Sequence, residues 1–177
     1  MKLLLQFLGL TKSKVDTPKV VDEVPFQKSA TPPFEVAMVR LLQHENRVSA
    51  LTTPSELAKT TQTMITITRQ WASSLPAGQD ANTCIIFAAV RPARRMKTWT
   101  ICSGNSAPHT PLELDERIAE EFDAEQISDV TGLVLFSIHG RAATNGIPEE
   151  WKRVAEDLGR AVEVERIVDH IWPETLQ

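Results

Sequence analysis

Three runs of strand length, rich in apolar residues, lie between residues 83 and 139 of this chain. Residues 83–91 form a continuous apolar run, residues 96–103 alternate between apolar and polar side chains, and a basic connection at residues 92–95 joins them. This spacing predicts a β-hairpin. Residues 130–139 are apolar almost throughout, which predicts a strand that is buried on both faces.

Two Thr-Pro pairs predict where helices begin. Thr53-Pro54 and Thr110-Pro111 each place a capping threonine before a proline, and a glutamate follows three residues after the threonine. Apolar side chains then recur at helical spacing, so we predict helices from residues 54 and 111. Within the first helix, residues 64–68 also alternate as a strand would, and a strand is the alternative there. The second helix is expected to direct four apolar side chains into the core: Leu112, Leu114, Ile118 and Phe122.

The remaining elements are less sharply marked. Residues 33–46 favour a helix that places Phe34, Met38 and Leu41 on one face. Another helix is predicted from Pro148, and Gly159 would end it. The segment after residue 159 fits both a strand and a helix, and a short strand followed by a helical end is favoured.

These elements predict an α/β (or α+β) domain with a small sheet of three to five strands. Their order is α-α-β-β-α-β-α-(β/α), in which a β-hairpin is followed by a βαβ crossover and the sheet is flanked by helices. The predicted domain spans residues 34–177. Residues 1–33 are predicted to be an N-terminal docking segment, residues 3–10, followed by a linker.

The apolar segment at residues 3–10 has three interpretations. It is too short to span a bilayer, which takes roughly 20 residues, and no cleavage site of the secretory type follows it. A short element that docks on the domain or on a partner is favoured. Contact with a membrane surface and export are the alternatives.

Composition and cysteine content set broad limits. An apolar fraction of 42% is typical of globular proteins, and a net charge of −4 argues against general binding of nucleic acid. Cys84 and Cys102 lie in apolar strand-like runs, so we interpret both as small core residues rather than as a disulfide framework. A reducing compartment is therefore expected, most simply the cytoplasm.

Polar loops follow two predicted strands, at residues 102–110 and 139–147. If the strands are parallel, their carboxyl ends lie at one edge of the sheet, where α/β domains bind ligands. Both loops lead into helix amino termini, which favour an anion. The candidate ligand-binding residues are Ser103, Asn105, Arg141 and Asn145. The alternative is that these residues are ordinary turn-forming residues.

No catalytic or cofactor motif is complete. Cys102, His109 and His139 are weak catalytic candidates, because a cysteine or serine beside a histidine can act as a nucleophile. No catalytic residue is assigned, and an enzyme is less favoured than a binding protein. The histidines lack the helical spacing of a zinc site, and no phosphate-binding glycine motif is present, so no metal and no cofactor are predicted.

Charge is segregated along the chain. Residues 81–110 carry Arg91, Arg94, Arg95 and Lys97 and no acid, whereas residues 111–129 are strongly acidic. This pattern favours a protein–protein interaction module, such as an adaptor, an immunity-type protein or a complex subunit, with a basic partner. The predicted partner-binding residues are Glu113, Glu116, Glu120, Glu121, Leu4, Phe7 and Leu8. The alternatives are a small enzyme or binding domain for a metabolite that bears phosphate or carboxylate, and, less favoured, binding of nucleic acid by the basic hairpin.

Overall fold

The computed structural model of this chain describes residues 33–92, 95–104, 111–121, 130–159 and 162–173. All of them belong to the unit that spans residues 33–177. The helices are α1 (Glu45–Leu51), α2 (Pro54–Ser74), α3 (Pro111–Glu121), α4 (Glu149–Leu158) and α5 (Val164–Ile171). The strands are β1 (Val36–Leu41), β2 (Cys84–Arg91), β3 (Arg95–Cys102) and β4 (Val134–Gly140).

The strands form one antiparallel sheet in the order β1-β4-β2-β3. β2 and β3 make the predicted hairpin, in register from Cys84 opposite Cys102 to Arg91 opposite Arg95. β3 and β4 run in the same direction because both are antiparallel to β2, which lies between them. α3 therefore belongs to a crossover that passes β2. The α+β class, the hairpin and the crossover are confirmed.

Helices cover both faces of the sheet. Alternate residues of β4 point to opposite faces, so Phe136 packs in the cluster formed with α2 and α3, while Leu135 packs in the cluster formed with α4 and α5. In the second cluster, the ring of Trp151 lies 5.1 Å from Phe87 and 5.2 Å from Trp99. Burial of β4 on both faces, as predicted, follows from this arrangement.

α2 is helical throughout, including residues 64–68, for which a strand was the alternative. Thr53 caps it as predicted, since its side chain accepts a hydrogen bond from the Glu56 amide. The Thr68 hydroxyl bonds to the Met64 carbonyl at 2.7 Å, so the buried hydroxyl is satisfied within the helix. Although α2 spans 21 residues, no helix in the described ranges is long and apolar enough to cross a membrane.

The helix predicted for residues 33–46 is wrong. Residues 36–41 form β1, which pairs with β4, and α1 begins only at Glu45. Phe34 is buried as predicted, but Met38 is 53% exposed. Apolar residues in this segment fit both helical and alternating spacing, and pairing with a strand about a hundred residues later decides between them.

Three smaller predictions also need correction. The short strand expected after residue 159 is wrong where the chain is described, because Val164 already lies in α5, whose Ile167 and Val168 are buried. Of the four side chains of α3 predicted to lie in the core, Leu114 and Ile118 are buried, Leu112 is 74% exposed, and Phe122 lies outside the described residues. The strand predicted from residue 130 begins at Val134, and the Thr131 amide bonds to the Leu51 carbonyl instead.

Cys84 and Cys102 form a disulfide. They stand directly opposite each other at the open end of the hairpin, where β2 begins and β3 ends. The interpretation of both as unpaired core residues is therefore corrected. The inference of a reducing compartment, which depended on unpaired cysteines, loses its basis.

Candidate functional site

Ser103, directly after β3, and the loop after β4 meet at one edge of the sheet. The amide and the hydroxyl of Ser103 both donate to the Thr83 carbonyl at 3.2 Å. The Thr144 amide in turn donates to the Ser103 hydroxyl at 3.4 Å. The two strand ends thus share an edge, as the crossover predicted, and Ser103 connects them.

A glycine lets the two chains approach closely at this edge. A Cβ atom on Gly140 would lie 2.4 Å from the Asn82 carbonyl oxygen, so no other residue fits without displacing the backbone. The Ala142 amide donates to the same carbonyl at 3.0 Å. The short polar loop after β4 is therefore held against the turn that precedes β2.

Arg141 forms a salt bridge with Glu35, with Nη1 and Oε2 2.8 Å apart. The Arg141 amide also donates to the Glu35 carbonyl at 2.8 Å, and the Glu35 amide donates to the Asn82 side chain. Glu35 was not among the predicted site residues, because residues 33–46 were expected to form a helix. A guanidinium that already holds a carboxylate has less capacity for an anionic ligand.

The fold places His139 and Cys102 on opposite faces of the sheet. Cys102 packs with the cluster of α2 and α3, whereas His139 shares the opposite face of β4 with Leu135. Cys102 also has no thiol while it is bonded to Cys84. His139 instead contacts Ser137, with Nε2 and Oγ 2.9 Å apart, and Ser137 is completely buried.

Burial lowers the pKa of His139 below its ordinary value, and the charge of Arg40 lowers it further. Arg40 lies opposite Ser137 in the register of β1 and β4. The cost of burying a charged ring therefore favours the neutral imidazole in the folded protein.

The rest of the predicted anion site is incomplete in the described residues. Asn145 is exposed, while Asn105 and His109 lie outside the described ranges. The first turn of α4 carries two acids, of which Glu149 pairs with Lys152 and Glu150 accepts a hydrogen bond from the Trp99 indole at 2.9 Å. These carboxylates oppose an anion at this helix terminus. Within the described ranges, no group of three metal-ligating side chains occurs.

α3 forms the second candidate site, and Asp115 fixes it to the sheet. The Asp115 carboxylate accepts hydrogen bonds from the amide of Thr100 at 3.0 Å and from its hydroxyl at 2.7 Å. Burial raises the pKa of Asp115 above its ordinary value, and the bonds from Thr100 oppose that rise. Leu114 and Ile118 are fully buried beneath the helix. The opposite surface of α3 is therefore held in one orientation.

That outer surface carries all the acids predicted to bind a partner. Glu113, Glu116, Glu120 and Glu121 are exposed, and the Glu121 carboxylate lies 3.8 Å from Nε of Arg117 on the same helix. Leu112 stands among them. The remaining predicted partner-binding residues, Leu4, Phe7 and Leu8, lie outside the described ranges.

Two basic residues of the hairpin, Arg91 and Arg95, contact the end of α5. Arg91 is only 3% exposed and forms a salt bridge with Asp169. The guanidinium groups of Arg91 and Arg95 lie 5.3 Å and 4.9 Å from the ring of Trp172. These contacts attach the end of α5 to the hairpin, and they reduce the basic surface available to nucleic acid.

Comparisons with protein-family models, with curated proteins and with solved structures find no match to this chain. The fold and its surface define a small α+β domain that carries an exposed acidic helix.

Proposed function

We propose that this domain is a protein–protein interaction module that binds a basic partner through α3. The observation that carries the proposal is a stripe on the outer surface of this helix. Leu112, Glu116 and Glu120 recur at intervals of four residues, so they lie along one side of α3. All three side chains are exposed.

The charge of this stripe supports a basic partner. Within the described residues, no ion pair engages Glu116 or Glu120. Neighbouring carboxylates of like charge destabilise a helix slightly, whereas a cationic partner would relieve that repulsion and accelerate association. A basic surface is therefore the complement that the stripe favours.

Leu112 supplies the apolar component. A leucine that is 74% exposed on a well-packed helix contributes nothing to the core, and its burial in a partner would be favourable. The fixed position of α3 lowers the entropic cost of binding, because the surface is already arranged. In this proposal Leu112 enters a pocket on the partner, and the acids form ion pairs around it.

The proposal has two further parts. The apolar segment with Leu4, Phe7 and Leu8 provides a second contact with the same partner, and the protein acts as an adaptor, an immunity-type protein or a complex subunit. A small domain with separated apolar and acidic contacts suits such a role.

Charge reversal tests the role of α3. The double variant Glu116→Lys/Glu120→Lys is compared with Glu156→Lys/Asp157→Lys, which changes the net charge equally on the exposed side of α4. Proteins captured by the full-length chain are quantified at several salt concentrations. We expect the α3 variant to lose a basic partner by about tenfold or more, while the α4 variant retains it. Equal retention by both variants would contradict the proposal.

A further inference from the structure

The two edges of the sheet differ in how far other described residues cover them and bond to them. At the β3 edge, α3 covers the strand, and Asp115 accepts the hydrogen bond of the outward-pointing Thr100 amide. At the β1 edge, no hydrogen bond within the described residues engages Val39 or Leu41 from outside. A strand edge with free amides and carbonyls is a template for another strand.

The register shows which groups of β1 point outward. The Leu42 amide donates to the Leu135 carbonyl across the β1–β4 pair, so Leu42 is a hydrogen-bonded position. Hydrogen-bonded and non-hydrogen-bonded positions alternate in an antiparallel pair. Val39 and Leu41 therefore direct their amides and carbonyls away from β4. A register shift between Val36 and Met38 limits the regular edge to this short stretch.

A cationic and an apolar side chain lie beside these outward-pointing backbone groups. Arg40 and Met38 stand on the same face of β1, two residues apart, and both are exposed. No carboxylate in the described residues forms an ion pair with Arg40. On a neighbouring strand, a carboxylate opposite Arg40 and an apolar side chain opposite Met38 would form favourable cross-strand pairs.

We propose that the β1 edge binds an extended peptide segment of a partner protein as an added antiparallel strand. The segment carries an acidic residue opposite Arg40 and an apolar residue, two positions away, opposite Met38. Its backbone bonds to the amides and carbonyls of Val39 and Leu41. Main-chain bonds supply attachment, and the two side chains supply selectivity.

A second copy of the chain fits this edge poorly. When two β1 edges pair antiparallel, Arg40 faces Arg40, Met38 or Leu42 of the other copy, depending on the register. The first register brings two like charges together, and the other two leave both cations without a carboxylate. The chemistry of the edge thus favours a different, acidic chain over self-association.

The β1 edge is separate from the acidic stripe of α3. The segment proposed to bind the β1 edge is acidic, whereas the partner proposed for α3 is basic. The failure of one proposal therefore leaves the other intact.

The test uses the full-length protein and a labelled nine-residue probe, Thr-Val-Thr-Val-Thr-Asp-Thr-Val-Thr, beside a probe in which lysine replaces the aspartate. Binding is followed by fluorescence anisotropy at low salt.

We expect the aspartate probe to bind about fivefold more tightly than the lysine probe. Arg40→Glu should reverse this preference. Lys59→Glu, which makes the same change of charge at an exposed position of α2, should leave the preference unchanged. Methylation of the two threonine amides that flank the aspartate should abolish binding, because those amides face β1 in an antiparallel pair.

Three results would overturn the proposal. One is absence of binding or of any preference between the probes. Another is unchanged affinity of the methylated probe, which would mean that an ion pair alone accounts for binding. The third is self-association, measured by sedimentation, that the variant Val39→Pro abolishes. This result would show that the β1 edge binds a second copy of the chain.

Discussion

At the scale of single residues, the environment of each polar group decides what it can do. Arg141 and Arg91 were both part of functional hypotheses, and each forms a salt bridge within the chain, with Glu35 and Asp169 respectively. Glu116, by contrast, is exposed and forms no ion pair within the described residues. A charge that the fold leaves unpaired is a better candidate for recognition than one that the fold has already used.

His139 makes the stability of the fold depend on pH. Burial, and then the charge of Arg40, lowers its pKa below the ordinary value of 6.5. Below that value the unfolded chain binds more protons at this site than the folded chain does. The free energy of unfolding should therefore fall as the pH falls from 6.5 through the folded pKa, and this contribution is fully present above 6.5.

The variant His139→Gln should weaken this pH dependence. Urea unfolding measured at intervals from about pH 7.5 to about pH 5 gives the slope for wild type and variant. His170→Gln, at an exposed position of α5, is the matched control and should keep the wild-type slope. An unchanged slope in His139→Gln would show that this residue does not titrate differently in the two states.

At the scale of elements, contacts between distant segments decide the structure that local patterns leave open. The hairpin follows from local alternation and a short connection, and α2 follows from its cap and its apolar face. β1 depends on pairing with β4 and could not be recognised locally, because its apolar residues also fit a helix. Since Glu35 adjoins β1, the same error concealed the partner of Arg141.

The disulfide should stabilise the hairpin end of the sheet. It joins residues separated by 18 positions, and closing a loop of this length stabilises a fold by about 3 kcal/mol in the chain-entropy model. The double variant Cys84→Ser/Cys102→Ser should lose about that much in urea unfolding. A dithiol reductant should reproduce the loss in wild type and have no effect on the variant. Equal stability of oxidised and reduced wild type would contradict this expectation.

At the scale of the whole molecule, the class, the crossover and the location of the acidic surface were predictable from sequence. The acidic surface was predictable because its charges are consecutive along one helix. The β1 edge, where the described residues leave Val39 and Leu41 unbonded on the outer side, was not predictable, because strand order depends on pairing between distant segments. The ends of β3 and β4 lie at one edge as predicted, but Thr83 and Glu35, which bond to Ser103 and Arg141, come from other parts of the chain.

The proposed role of α3 is tested most directly by a photo-cross-linker placed at single positions of the full-length chain. One variant carries it at Leu112, and a control carries it at Leu158, which is also exposed but lies on α4. We predict that Leu112 cross-links to one basic protein and that Glu116→Lys/Glu120→Lys removes this product. The same products from both positions, or a product from Leu112 that survives the charge reversal, would contradict the proposal.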